Sequence, residues 1–133
     1  MTVKIAFASN DRRHVNQHFG AASAFAIFEI GRAGANLVEV AEFIETAMDG
    51  HEGKLAGKVA LLEGCAAVYC NAAGASAVGQ LLSKGIQPMR VEEGVAIEAL
   101  LGCLQSAPPP WLARHFHKAS GANSFSADEA WQE

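Results

Sequence analysis

The sequence lacks the features of a nucleic-acid-binding or membrane-spanning protein. Ten Lys and Arg residues stand against 14 Asp and Glu, the net charge is -4, and no run of basic residues occurs. Binding a phosphate backbone requires clustered Lys and Arg, so we expect no nucleic-acid partner. No apolar stretch approaches the roughly 20 residues that cross a bilayer, and the run after Lys4 is too brief for a signal peptide. We therefore expect a cytoplasmic protein without membrane contact.

Cysteine is also scarce, with Cys65, Cys70 and Cys103 the three examples. Because the count is odd and no paired metal-ligand spacing occurs, we expect reduced thiols and no disulfide framework. The odd spacing along a strand predicts that Cys65 and Cys70 point to opposite faces and do not hold one metal together. Cys103 flanks an apolar helical stripe and is expected to be a small buried residue. Each thiol remains a candidate for a lone metal ligand.

The sequence does contain enough apolar residues for one domain. It has 133 residues, of which 50% are hydrophobic, and this length suits a single folded unit. Residues 1–106 carry regular apolar patterns and are expected to form one α/β domain. Residues 107–133 begin with a proline run and have a weak pattern, so we expect a loosely packed carboxyl-terminal tail.

Strands and helices follow one another in a distinctive order along residues 1–106. Apolar runs predict three meandering strands, and the spacing of Leu55, Val59 and Leu62 predicts a helix that Gly64 ends. A strand, helix, strand crossover and a last helix follow. The predicted segments are strands 3–8, 24–30 and 37–44, a helix from Lys54, strand 66–70, a helix from Ala75 to Gly85, strand 86–91 and helix 97–104.

This order is typical of a ribonuclease H-like three-layer fold, an α/β architecture with a five-stranded mixed sheet of order 3-2-1-4-5 flanked by helices. A doubly wound Rossmann sheet is the alternative. In the favoured fold the first and fourth strands are parallel neighbours, so their carboxyl ends open on the same edge. Two segments would meet there: residues 9–20 (the 9–20 loop) and residues 71–76 (the 71–76 turn). Open sheets commonly bind ligands in such a crevice.

Signatures of known enzyme classes are missing from this framework. Magnesium-dependent nucleases of this architecture need a carboxylate on the first strand, and residues 2–9 contain none. There is no nucleophile elbow, no repeated Cys-x-x-Cys and no dinucleotide-binding glycine fingerprint. We therefore expect no turnover chemistry.

His18 is the histidine best placed for chemistry in the crevice. Phe19 can anchor in the core and Gly20 can adopt a backbone angle closed to other residues, which would hold the imidazole at the crevice. Such an imidazole suits one open position on iron, provided that an acceptor orients its other nitrogen. The alternative is a surface histidine in an ordinary turn. His14 is a second candidate ligand, and Cys70 is the thiol nearest the crevice.

The 71–76 turn has almost no side-chain bulk and opens a helix. A large anion can therefore approach its backbone amides and the positive end of the helix. It is not a phosphate-binding loop, because the Lys and the glycine spacing of that motif are absent. Close packing of a helix on a strand explains the small residues equally well. The residues of the turn are Asn71, Ala72, Ala73, Gly74, Ala75 and Ser76.

Several segments together resemble the dinitrogenase iron-molybdenum cofactor biosynthesis family. Residues 7–11 (Phe-Ala-Ser-Asn-Asp) and 15–20 (Val-Asn-Gln-His-Phe-Gly) resemble the opening of that family. Residues 63–70, 74–78 and 85–88 resemble its second half. The resemblance covers residues 2–105, and the later Trp-Leu-Ala-Arg segment at 111–114 is similar to the tail of the NifX branch. The combination is specific to this family.

The resemblance implies a ribonuclease H-like domain that binds iron-sulfur precursors of the nitrogenase cofactor, or the finished iron-molybdenum cofactor, and carries them during assembly. The histidine ligand of the family corresponds to His18. A cluster held over the 71–76 turn by one imidazole could leave again, as a carrier requires. The implied partners are nitrogenase cofactor assembly proteins of the NifB or NifEN scaffold type, or apo-dinitrogenase. An unrecognised enzyme or a protein-binding regulator on the same fold is the alternative.

Overall fold

The computed structural model describes residues 2–31, 33–43 and 51–113, and the side chains of all of these except 51–53. The sequence folds into alternating strands and helices whose bounds lie close to the apolar runs. In chain order the elements are β1 (Val3–Ala8), β2 (His14–Val15), β3 (Ala24–Gly31), β4 (Gly34–Glu42), α1 (His51–Leu61), β5 (Cys65–Cys70), α2 (Ala75–Ser83), β6 (Gln87–Arg90), β7 (Val95–Ala96) and α3 (Ile97–Ser106). Among the described residues, no helix is long and apolar enough to cross a membrane.

A five-stranded mixed sheet of order β4-β3-β1-β5-β6 forms the centre of the molecule. β1 pairs antiparallel with β3, which pairs antiparallel with β4, whereas β5 runs parallel to both β1 and β6. Counted along the chain, these five strands stand in the order 3-2-1-4-5. The carboxyl ends of β1, β5 and β6 therefore open on one edge of the sheet.

Helices cover the two faces of this sheet, which confirms the mixed α/β architecture with flanking helices. Leu55, Val59 and Leu62 are buried in one apolar cluster with side chains of α2, as their helical spacing predicts. The side chains of α3 pack in a second cluster on the opposite face. Gly64 and Gly85 have φ angles of 92° and 76°, the left-handed backbone that lets each chain segment leave its helix.

The connection between β3 and β4 is tighter than the sequence predicts. The predicted strands 24–30 and 37–44 leave residues 31–36 as their connection, but Gly31 already pairs with Gly34, and Ala35 pairs with Ile30. Ala35 is partly buried against the apolar cluster that contains the side chains of α3 (the α3 cluster). This packing extends the strand into the predicted connection. The last residue of the predicted third strand, Ile44, lies outside the described residues.

The predicted orientations of the cysteines are wrong in two respects. Cys65 and Cys70 lie on the same face of β5, in the cluster under α1 and α2, because a bulge at Ala66 shifts the strand register by one residue. Cys103 is exposed rather than buried. The buried stripe of α3 includes Leu101, and a residue two positions further along a helix points to the opposite side.

The chain stays packed after α3 as far as the structure describes it. The amide of Leu112 donates to the carbonyl oxygen of Pro109 at 3.0 Å, and the Leu112 side chain is fully buried in the α3 cluster. The packed part of the chain therefore extends at least to Leu112. The division of the chain at residue 106 stays a prediction, and residues 114–133 of the predicted tail lie outside the described residues.

Candidate functional site

The 9–20 loop and the 71–76 turn meet at the carboxyl ends of β1 and β5, as the sequence predicts. The amide of Asn71 donates to the carbonyl oxygen of Gln17 at 3.0 Å, and the amide of Phe19 donates to that of Ala72 at 2.8 Å. These two hydrogen bonds stand on either side of His18. The backbone that carries His18 is therefore fixed against the start of the turn.

A two-stranded sheet that no sequence pattern predicted holds the middle of the loop. β2 pairs antiparallel with β7, and the amide of Gly94 donates to the carbonyl oxygen of Val15 at 2.9 Å. The Val15 side chain is fully buried. Strands of two residues have no periodicity that a sequence pattern can reveal.

Ser9 and Asp11 fold the first part of the loop. The Ser9 hydroxyl donates to Asp11 Oδ1 at 3.0 Å and accepts the amide of Arg12 at 2.9 Å. Asp11 Oδ1 also accepts the amides of Arg13 and His14 at 2.8 and 2.9 Å. Arg12 has a φ of 65°, a left-handed conformation that these hydrogen bonds stabilise.

His14 is the imidazole that a carboxylate orients. Its Nδ1 lies 2.8 Å from Asp11 Oδ2, and this contact is the main reason that the pKa of Asp11 lies well below its ordinary value; the amides of Arg13 and His14 add to it. With Nδ1 donating to the carboxylate, Nε2 of His14 is left as an electron-pair donor. The Asp11 contact thus orients the ring of His14 and leaves one nitrogen of the ring exposed for other contacts.

His18 is exposed, and its ring has no hydrogen-bond partner in the part of the chain that the structure describes. The acceptor expected behind His18 is found behind His14 instead. Phe19 anchors the segment as predicted, since its ring is fully buried and its centroid lies 5.4 Å from that of Phe25. The role expected of Gly20 is wrong, because it lies in a 3-10 turn and does not adopt a positive φ.

Lys58 holds the segment after His18 from the side of α1. Its Nζ donates to the carbonyl oxygens of Phe19 and Gly20, and lies 5.1 Å from the ring centroid of Phe43. Only 4% of its surface is exposed. Sequence reasoning missed this residue, although a lysine between Leu55 and Leu62 on the buried stripe of a helix is a visible signal.

Asn71 differs from the rest of the turn because it is buried. Its Nδ2 donates to the carbonyl oxygens of Val15 and Val91 at 3.0 and 3.2 Å, while its buried Oδ1 has no hydrogen-bond partner among the residues that the structure describes. The side chain therefore ties the loop to the segment after β6. It occupies the inside of the junction, and any contact of the turn with an anion falls to residues 72–76.

Residues 72–76 become more exposed from the start of the turn toward the amino end of α2. Ala72 and Ala73 are half-buried, whereas Gly74, Ala75 and Ser76 are exposed. Gly74 is the N-cap of α2 and forms no side-chain cap hydrogen bond. The amino end of a nine-residue helix, with its positive dipole end, therefore faces solvent without a capping side chain next to the backbone that carries His18.

Cys70 lies behind this junction and not on its surface. It is 2% exposed, and burial raises the pKa of its thiol, although hydrogen bonds from the amides of Ala72 and Phe19 act in the opposite direction. A thiol that stays protonated is a poor metal ligand. Within the described residues, no three His, Cys, Asp or Glu side chains are grouped so as to hold a metal ion.

Comparisons with known proteins agree on one protein family. A family model described as dinitrogenase iron-molybdenum cofactor matches residues 1–107. The chain is 45% identical to protein NifX of Azotobacter vinelandii, over 98% of this chain and 88% of that protein. It is 33% identical to protein NifX of Sinorhizobium fredii, over 90% of this chain and 81% of that protein.

Among solved structures, the apo form of the orange protein from Desulfovibrio gigas has a similar fold. The two superpose with a TM-score of 0.61 at 17% sequence identity, over 83% of this chain and 92% of the orange protein. At this identity the likeness concerns the fold alone. It supports the arrangement of the sheet and helices that brings the loop and the turn together.

Proposed function

The chain belongs to the dinitrogenase iron-molybdenum cofactor family, and from that premise we propose that it binds and carries an iron-sulfur cluster during nitrogenase cofactor assembly. Family membership places the chain in the biosynthesis of the iron-molybdenum cofactor. The cargo is a precursor cluster or the finished cofactor, and it is bound without turnover. The protein is thus a non-catalytic carrier in this proposal.

One observation carries the proposal: hydrogen bonds fix the backbone that carries the exposed imidazole of His18 beside the amino end of α2, whose N-cap residue is Gly74. His18 supplies a nitrogen that can bind one iron atom. The exposed part of the 71–76 turn supplies backbone amides and the positive helix end, which favour the negative charge of an iron-sulfur cluster. Coordination and charge stabilisation thus come from two adjacent segments.

A site with a single imidazole ligand also explains how the cluster can be released. Four cysteine thiolates typically hold resident iron-sulfur clusters, whereas Cys70, the thiol near the crevice, is buried, and burial raises its pKa. A single imidazole can be replaced by a ligand of the receiving protein in one exchange step. We propose nitrogenase cofactor assembly proteins of the NifB or NifEN scaffold type, or apo-dinitrogenase, as the partners in this transfer.

The proposal is tested by removing the imidazole. His18→Ala should retain the circular dichroism spectrum of the unmodified protein, because an exposed ring contributes little to the core. It should bind isolated iron-molybdenum cofactor more weakly by at least about tenfold, because backbone amides do not replace a coordinate bond. Anaerobic gel filtration with iron analysis of the protein fraction measures the bound cluster.

Two further variants identify which histidine binds. His51→Ala, at the first residue of α1, removes an imidazole from another part of the chain and should leave affinity unchanged. His14→Ala should lower the affinity for the cluster less than His18→Ala does if His14 is only an auxiliary ligand. If His14→Ala alone abolishes binding and His18→Ala leaves it intact, the iron ligand is His14. If none of the variants lowers affinity, the carrier proposal fails as stated.

A further inference from the structure

A buried lysine in this fold has no role yet in the proposed site. Lysine is seldom fully buried, because removing an ammonium group from water costs free energy unless acceptors surround it. Lys58 is 4% exposed, and its ammonium donates to two carbonyl oxygens of a single short segment, those of Phe19 and Gly20. Both carbonyls belong to the turn that starts directly after His18.

We propose that Lys58 is a positioning residue of the cluster site: its ammonium fixes the 3-10 turn after His18 and so sets the direction in which His18 presents its imidazole. This inference rests on the proposed function for its purpose. Lys58 itself does not touch the cluster in this proposal. It acts on the backbone that carries the ligand.

The contacts around His18 show why such a device is needed. The ring of His18 has no hydrogen-bond partner among the described residues, in contrast to His14, whose Nδ1 is held by Asp11. The backbone is therefore what places the Cα–Cβ bond of His18, and with it the positions that the imidazole can reach. The amide of Phe19 donates to Ala72 and its carbonyl accepts from Lys58, so the peptide groups after His18 are held from the turn and from α1.

Phe43 also contacts the ammonium. Its ring lies with the centroid 5.1 Å from Lys58 Nζ, a favourable cation–π distance. The amide of Phe43 donates to the carbonyl oxygen of Ser23 at 2.9 Å, which places the ring at the end of β4 beside the same turn. The carbonyl oxygens of Phe19 and Gly20 and the ring of Phe43 thus contact the ammonium from different elements, which links α1 to the turn after His18.

The first measurement uses the metal-free protein with isotope-labelled histidine. In Lys58→Met, which keeps a long apolar side chain without the ammonium, the ring signals of His18 should shift and broaden in NMR spectra. The ring signals of His14 should stay unchanged, because Asp11 holds that ring independently. Lys84→Met, which removes an exposed lysine from the end of α2, is the matched control and should move neither histidine.

The second measurement is a double-mutant cycle on binding of isolated iron-molybdenum cofactor. Lys58→Met should weaken binding by about tenfold, as expected when a charge-assisted hydrogen bond that positions a ligand is lost. If Lys58 acts through His18, adding Lys58→Met to His18→Ala should change affinity by less than about twofold. Lys58→Arg, which retains donors and charge, should recover part of the affinity.

The outcomes separate this inference from the proposed function. Unchanged His18 signals in Lys58→Met, equal movement of His14 and His18, or additive losses in the cycle would each overturn the positioning role. If Lys58→Met does not fold, the same spectra and cycle are measured with Lys58→Arg, whose altered donor geometry should still displace His18 and not His14. If His18→Ala binds like the unmodified protein, the ligand assignment fails, while the metal-free spectra still decide whether Lys58 positions His18.

Discussion

The choice between imidazole and thiolate at the crevice follows from the burial of single residues. Cys70 is within reach of the junction but is 2% exposed, and its thiol pKa is raised by burial. A neutral imidazole binds iron through a ring nitrogen that already carries a lone pair, and His18 presents its ring at the surface. The residue that can bind is therefore the one at the surface.

Burial of Cys65 predicts a pH dependence of stability. Burial raises the pKa of this thiol from 9.0 to about 11, so the unfolded chain loses the proton first as pH rises. The stability that the folded protein gains from this raised pKa is fully present below pH 9. It is lost as the pH rises toward the pKa of Cys65 in the folded state. Between pH 9 and 10, below the ordinary pKa of Tyr69, the free energy of unfolding of Cys65→Ala should fall less steeply than that of the unmodified protein. Urea unfolding at several pH values measures the two slopes, and parallel slopes would contradict the prediction.

Single residues were also where sequence reasoning was least complete. The meeting of the 9–20 loop with the turn and the anchoring by Phe19 are confirmed, because both depend on strand order and on a large apolar side chain. The hydrogen bond from His14 to Asp11 was not predicted, since three residues of separation in a loop do not fix side-chain directions. The contact of Lys58 with Phe19 was not predicted either, because the two residues are 39 positions apart.

At the scale of helices, three glycines give a comparison of helix propensity with packing. Gly79 in α2 and Gly102 in α3 have nothing within 4 Å of a Cβ built on them, whereas a Cβ at Gly57 in α1 would lie 3.0 Å from the ring of Phe43. Gly79→Ala and Gly102→Ala should each raise the free energy of unfolding by about 0.5–1 kcal/mol.

Gly57→Ala should fall short of that gain, because the Phe43 ring must give way by a few tenths of an ångström. Thermal unfolding of the three single variants under one buffer condition makes the comparison. Equal stabilisation at all three positions would show that the ring moves aside without cost. Because Phe43 also covers Lys58, histidine spectra of Gly57→Ala would report whether the displacement reaches His18.

Elements with a clear period were predicted well, and those without one were not. The main strands and the helical stripes of α1 and α3 each have several apolar positions at fixed spacing, which a sequence reveals directly. β2 and β7 have two residues each, and the bulge in β5 depends on pairing with β1. The loop that carries His14 and His18 is held by these unpredicted features, so its geometry required the structure.

At the scale of the whole molecule, the core is independent of any ligand. Two apolar clusters cover the two faces of the sheet, and neither contains a group of potential metal ligands in the described residues. We therefore expect the metal-free protein to unfold cooperatively, with the same midpoint before and after treatment with a chelator. Calorimetry with iron analysis measures this. A midpoint that falls on chelation would indicate a structural metal.

The hydrogen bond from Asn71 to Val15 joins residues that are 56 positions apart, and this separation has a consequence for the order of folding. Closing so long a loop costs chain entropy before the parallel pairing of β1 with β5 offsets it. The histidine segment and the turn are therefore assembled only when that pairing forms. A nascent chain that has not yet exposed β5 from the ribosome has no crevice, so the proposed cluster site does not exist until synthesis has passed the turn.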